Sequence, residues 1–269
     1  MPRSACTCRI HTTALRSDGR LVGVSKATVS RYETQAGPVK WLVIDALCRE
    51  YDATDAARRA VVNLAKSAKE QGWWSSFADS IPESMNLLLT LENEAVRESH
   101  FCCVYVPGLL QTREYSTALQ KANDVPLAPM EIERLVDIRM KRQEILSRPR
   151  PPRLWAILDE SVIRRVVGSP QAMKRQLDRL LDANESPHIT LQILPFSKGA
   201  HAAALGSFVI IGGLEPALDV VYVDFHTGSL FLEQKEELEK YRLAFEYLRA
   251  QALDMEASSA MIYDARKEL

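Results

Sequence analysis

Three prolines within Arg148 to Arg153 (Pro149, Pro151 and Pro152) hold that stretch extended and divide the chain into two patterns. Ahead of it, apolar residues recur every three or four positions, as they do on helices. Leu42, Ile44, Ala46, Leu47 and Tyr51 predict one helix. Ala57, Ala60, Val61, Leu64, Ala65 and Ala68 predict another, stopped by Gly72. Further helices are expected over 81–100, from near Arg113 with Thr112 as its cap, and over 130–147. Phe101 to Val106 is a short β-prone run closed by the turn Pro107-Gly108.

Beyond the prolines the pattern changes. Leu154–Leu158, Ile189–Leu194, Ser207–Ile211, Val220–Phe225 and Ser229–Leu232 read as strands, the last two joined by a turn at Thr227-Gly228. Helices are expected over Ser161–Val167, Pro170–Ala183 and about Gln234–Leu253. The fold class expected is α+β: an all-α N-terminal part followed by a larger domain in which a small sheet packs against helices. Residues 1–20 carry no usable periodicity, residues 21–72 form the N-terminal unit, and residues 73–269 form the larger one, opening at the pair Trp73-Trp74.

Charge separates along the same boundary. Residues 1–72 hold 12 Lys/Arg against 7 Asp/Glu, a net of +5, and the remainder nets −6. A basic end on an acidic body suits contact with phosphates at that end only. At 46% hydrophobic and 26% charged the chain is globular, and no apolar run reaches the roughly 20 residues of a membrane span. With no secretory leader either, the expected location is the cytoplasm. The five cysteines, among them Cys6, Cys8, Cys102 and Cys103, lack zinc-site spacing and are expected to be reduced thiols, most of them buried.

The densest local chemistry lies in Leu21-Val22-Gly23-Val24-Ser25-Lys26-Ala27-Thr28-Val29-Ser30-Arg31-Tyr32-Glu33. Gly23 permits the positive φ of a tight turn between helices, and Ser25 is a good cap for the second. Val29 and Tyr32 share the inward face of that helix. Lys26, Ala27, Thr28, Ser30 and Arg31 are left toward a groove, where small side chains allow close approach and the two cations reach base edges or phosphates. An amphipathic surface helix with a serine cap has the same pattern.

This stretch resembles the turn and recognition helix of Xre-type, phage-repressor-like regulators, whose acidic residue at the place of Glu33 serves internal structure. Further motifs extend the resemblance: Gly72-Trp73-Trp74, Val106-Pro107-Gly108-Leu109-Leu110-Gln111-Thr112, Asp159-Glu160, Arg164-Arg165, Leu194-Pro195-Phe196 with Gly199 and His201, Gly206-Ser207-Phe208, and Val221-Tyr222-Val223. Their order is similar to the actinomycete antitoxin-like Xre regulators over roughly residues 30–260. The resemblance implies a DNA-binding N-terminal domain, a non-catalytic C-terminal domain that binds a ligand or partner, operator DNA, a small protein partner encoded nearby, and possible homodimers. Met1 to Arg20 depart from it, because the apolar pattern of the first helix and most of the second is missing. The DNA-binding fold is therefore expected to be incomplete as written.

No catalytic residue, cofactor or metal is expected. Asp159, Glu160, His201, Asp224 and His226 are scattered, and no phosphate-binding glycine loop, G-x-S-x-G or H-E-x-x-H occurs. A hydrolase or nuclease, and an interaction protein that has lost DNA binding, are the rival readings. V-P-G-L-L-Q-T and the tryptophan pair read as architecture, Arg139, Arg142, Arg164 and Arg165 as a solvated face that could also hold an anion or partner, and L-P-F-x-x-G-x-H as a loop over a pocket.

Overall fold

The computed structural model describes residues 41–50, 52–67, 73–74, 81, 83–122, 127–213 and 216–269. Its frame is one six-stranded mixed sheet: β1 (Arg97–Cys102), β2 (Arg153–Asp159), β3 (Ile189–Leu194), β4 (Phe208–Gly212), β5 (Val220–Phe225) and β6 (Gly228–Leu232), in the order β3-β2-β1-β4-β5-β6. β1, β2 and β3 are parallel, whereas β4, β5 and β6 continue antiparallel from β1. The helices with described placement are α1 (Trp41–Glu50), α2 (Asp55–Ser67), α3 (Glu83–Glu94), α4 (Arg113–Lys121), α5 (Pro129–Arg142), α6 (Glu160–Arg164), α7 (Pro170–Asn184), α8 (Lys235–Gln251) and α9 (Met255–Lys267). The α+β class expected from sequence is the class observed.

Alternation along the strands divides the core. Leu154, Ala156 and Leu158 face one layer with Tyr115 of α4, Leu177 and Leu180 of α7, and Ile262 of α9. Ile157, Phe101, Phe208 and Val221 face the other with Leu238, Phe245 and Leu248 of α8. Because both faces of β2 are covered, it reads as an almost unbroken apolar run. The outer edge of β3 is closed by side chains. Asn184 Oδ1 accepts from Leu191 N at 2.9 Å, Ser258 Oγ from Ile193 N at 2.9 Å, and Gln192 Nε2 donates to Leu253 O at 2.7 Å.

Between β1 and α4 the chain crosses the core as the loop V-P-G-L-L-Q-T, with Val106, Leu109 and Leu110 buried. Its backbone groups are met by side chains. Gln111 Nε2 donates to Val106 O at 2.6 Å, and Gln143 Nε2 to Gly108 O and Gln111 O, both at 2.8 Å. Gln176 donates to Leu110 O at 2.8 Å and accepts from Thr112 N at 2.7 Å. Thr112 caps α4 as expected, accepting from Tyr115 N at 3.3 Å. A Cβ on Gly108 would lie 3.3 Å from Arg142 Nη1, so a larger residue there would push that guanidinium by a few tenths of an ångström.

Charged groups are buried along and around β1. Glu98 and His100 of β1 are both buried and joined at 2.7 Å, and Arg142 holds Glu92 of α3 through two nitrogens. Arg97 reaches Asp219 at 2.6 Å, and Arg242 of α8 reaches the same carboxylate at 2.6 Å. Trp73 and Trp74 form an edge-to-face pair with ring centroids 5.8 Å apart in a small cluster with Ile81, Leu89 and Ile138, in keeping with packing anchors.

The helix expected over 81–100 ends at Glu94, and the strand placed at Phe101–Val106 runs instead from Arg97 to Cys102. The polar stretch Arg97-Glu98-Ser99-His100 masks a central strand whose two inward polar groups, Glu98 and His100, bond to each other through Glu98 Oε2, while Glu98 Oε1 is buried without a partner. The proline link does not separate helices from sheet, since β1 precedes it. The last expected helix ends at Gln251, and a second one, α9, follows it with Asp254 Oδ1 accepting from Ala257 N at 2.8 Å. The helix expected over 130–147 stops at Arg142 and tightens into a 3-10 turn, Gln143–Ser147.

Two measurements check this core. Gln176→Leu leaves Leu110 O and Thr112 N without their partner in a buried loop, and is expected to lower unfolding stability by about 2–4 kcal/mol. A loss within about 0.5 kcal/mol in urea titration would show that the loop is not clamped there. Burial pushes the Glu92 carboxyl from 4.5 up to about 7, against the pull of Arg142. Folded Glu92 thus keeps its proton where the unfolded chain has lost it. The stability this supplies is full below about 4.5 and is lost as pH rises through about 7. Urea midpoints relative to those of Glu92→Gln are expected to fall across that window, and a flat difference would contradict the assignment.

Candidate functional site

Lys26, Ala27, Thr28, Ser30 and Arg31 lie outside the described residues, as do Cys6 and Cys8. The two helices that follow that segment are described. α1 and α2 form a pair in which Asp45 takes Arg49 at 2.9 Å and Arg58 at 3.8 Å, with Val43 and Val62 buried.

In the larger domain, chemistry collects at one edge of the sheet. β1, β2 and β3 are parallel, so the segments that leave them emerge together, and the segment entering antiparallel β4 arrives at the same end. The carboxyl ends of parallel strands are where ligands bind in open α/β sheets. Here the loops are tied to one another. Ser207 Oγ accepts from Cys103 N at 3.0 Å, Ser161 Oγ donates to Cys103 O at 2.9 Å, and Glu160 Oε2 accepts from Phe196 N at 2.9 Å. Gly199, at φ +67°, turns the chain after Phe196–Lys198.

The acids and histidines considered for catalysis are separately engaged. Asp159 caps α6 by accepting from Ser161 N at 2.9 Å, and Glu160 also holds Arg164 at 3.2 Å. His201 lies with its ring 5.3 Å from that of Phe101, and its Nδ1 accepts from Ala203 N at 3.2 Å. Asp224 accepts from Ser229 Oγ at 2.9 Å, and His226 sits in the β5–β6 turn, which is where Thr227-Gly228 was expected to reverse the chain.

The four arginines read as one solvated face divide in two. Arg164 and Arg165 are exposed, and Arg164 reaches Glu268 at 2.6 Å. Arg142 is turned inward onto Glu92. Arg139 is part-buried and donates to Gln111 Oε1 at 2.7 Å, and burial pulls its guanidinium down to about 10. Helical spacing allowed these two to lie outside; the Gln111 side-chain oxygen and the Glu92 carboxylate draw them in.

Of the described cysteines, Cys102 and Cys103 are free, and burial pushes the Cys102 thiol up to about 12, so it is held as a thiol. Between α4 and α5 lies a cavity of about 420 Å³ floored by Ile132 and Val136 and rimmed by Arg113, Lys121 and Glu133. Arg113 there is spent on Asp137 at 2.7 Å. No helix among the described residues is long and apolar enough to cross a membrane. Sequence patterning marked the L-P-F-x-x-G-x-H loop but missed Cys103, Ser161 and Ser207 as ties of the same edge. The available signal was that each of the three stands at or just beyond a strand end.

Residues 85–264 match the family described as Domain of unknown function (DUF5753). No curated protein and no solved structure matches the chain. The matched span takes in the whole sheet, the clamped loop between β1 and α4, and the tied edge, and it covers well over half of the 269 residues: the chain belongs to the DUF5753 family.

Proposed function

We propose that this protein is a DNA-binding transcriptional regulator of the antitoxin-like, Xre-type kind, working in the cytoplasm. Residues 21–72 are its helix-turn-helix reader of operator DNA, and residues 73–269 its non-catalytic ligand- or partner-binding domain. The observation that carries this reading is the segment Leu21 to Glu33, with a glycine turn, a serine cap, two inward apolar residues and an outward face of Lys26, Ala27, Thr28, Ser30 and Arg31. The +5 charge of residues 1–72 against the −6 of the rest supports it, since cations are gathered where phosphates would be met. The helical pair α1–α2 directly after the segment suits a small all-α reader. The larger domain is the natural seat of a signal, from a small molecule, from a small protein encoded nearby or from a second copy.

The test is a salt titration of operator affinity for the chain with and without Lys26→Ala and Arg31→Ala. Loss of a base-reading side chain costs about 1–3 kcal/mol, and loss of a phosphate contact flattens the salt slope. If the chain binds and the double substitution changes neither affinity nor slope, the recognition helix lies elsewhere. If it binds no operator, it acts through protein partners alone.

A further inference from the structure

We infer that the outer edge of β6 is a dimer interface, at which a second copy of this chain pairs its own β6 antiparallel about a twofold axis at Leu230. The two sheets then continue into one. This supplies the twofold form of the regulator proposed above and rests on that reading for its purpose, since a twofold reader spans two half-sites.

The backbone sets the demand. An edge strand presents a row of unpaired peptide groups unless something meets them. At β3 the side chains of Asn184 and Ser258 do so. At β6 none of the described residues does. His226-Thr227 is a two-residue turn, so Phe225 and Gly228 close it as a hydrogen-bonded pair. Alternation along the ladder then turns the peptide groups of Leu230 and Leu232 toward Val223 and Val221. Those of Ser229 and Phe231 point away from β5, and no described residue bonds them. The strand, Gly-Ser-Leu-Phe-Leu, pairs with β5 without a bulge and has neither the proline nor the charge that blunts an edge.

The side chains select the occupant. Small residues, Gly228 and Ser229, stand at one end of β6, and large ones, Phe231 and Leu232, at the other. An antiparallel copy centred on Leu230 sets Ser229 against Phe231 and Gly228 against Leu232, so each large side chain meets a small one. In that register the outward groups of Ser229 and Phe231 bond those of the copy, and none is left over. A register moved by two residues sets Phe231 against Phe231 or leaves it opposite the turn. Leu230 lies on the axis and is 47% exposed. Phe225, on the same face beside Gly228, is 46% exposed. A Cβ on Gly228 would meet nothing within 4 Å, so the space next to Phe225 is open to Leu232 of the copy. With no charged residue in β6, no like charges oppose each other across the axis.

The experiment is sedimentation of the full chain, wild type and Leu230→Lys, together with mild oxidation of Leu230→Cys. The wild type is expected to be a dimer. Leu230→Lys sets two ammonium groups against each other at the axis and is expected to weaken that dimer by about tenfold or more. The side chain replaced is exposed, and unchanged thermal unfolding verifies that the variant folds. Residues facing each other in a non-hydrogen-bonded antiparallel pair have Cα atoms about 4.5 Å apart, within disulfide range. The introduced thiols are therefore expected to cross-link, and mass spectrometry is expected to find the peptide that holds position 230 joined to itself. Leu243→Cys, exposed on α8, is the control and is expected not to cross-link. A monomeric wild type, a dimer that Leu230→Lys leaves intact, or the absence of a cross-link at position 230 overturns the inference. Operator affinity measured on the same samples keeps the two readings apart. A monomer that binds operator removes the pairing and leaves the regulator, whereas a dimer joined through β6 that binds no operator does the reverse.

Discussion

A peptide segment that crosses a protein interior without joining a helix or sheet must find a partner for each polar backbone group it carries, or forfeit the free energy of an unmet hydrogen bond. The V-P-G-L-L-Q-T segment imposes that demand on the whole domain. Gln111, Gln143 and Gln176 come from the loop itself, from the end of α5 and from the middle of α7, and each meets it with an amide able to donate and accept. Through them the loop positions α4, α5 and α7 against one face of the sheet. Arg139 is held on Gln111 and Arg142 beside Gly108 for the same reason, and the Glu92 carboxylate follows Arg142 inward. The polar groups around this loop are thus one connected set.

This connectedness explains what sequence patterning could and could not reveal. β2, β3, β4 and β5 announce themselves through β-branched and apolar runs, and their expected bounds agree with the observed ones to within a residue or so. β1 did not, because a period-two reading expects apolar residues where Glu98 and His100 stand. Their burial depends on a pairing two residues apart along one strand, a local fact that averaging over hydropathy erases. Arg139 and Arg142 misled in the opposite sense, since cations spaced on a helix read as solvated until the Gln111 amide oxygen and the Glu92 carboxylate awaiting them are known. The class of the fold was legible; the centre of its sheet was not.

The site was legible in a similar, uneven way. The L-P-F-x-x-G-x-H loop stood out for its proline and glycine, and it does lie at the edge where parallel strands end. His201, its most suggestive residue chemically, serves the fold by lying against Phe101. The residues that tie the edge together, Cys103, Ser161 and Ser207, are small and unremarkable in sequence. They matter because strand order brings the ends of β1 and β2 and the start of β4 together, and order is a property of the sheet that no window along the chain contains.

The position of β1 also sets a timetable for the nascent chain. β1 leaves the ribosome first, yet it pairs on one side with β2, which follows only after α4, α5 and the proline link, and on the other with β4, which follows later still. Both closures carry the loop entropy of distant contacts, whereas β4, β5 and β6 meet through short connections. Until its neighbours arrive, the strand that will become the middle of the sheet has two open edges. Its polar Glu98-Ser99-His100 stretch then acts as protection, because a strand that carries charge sticks poorly to other chains during synthesis. The residues that hide β1 from a hydropathy reading are, on this view, the ones that keep it soluble while it waits.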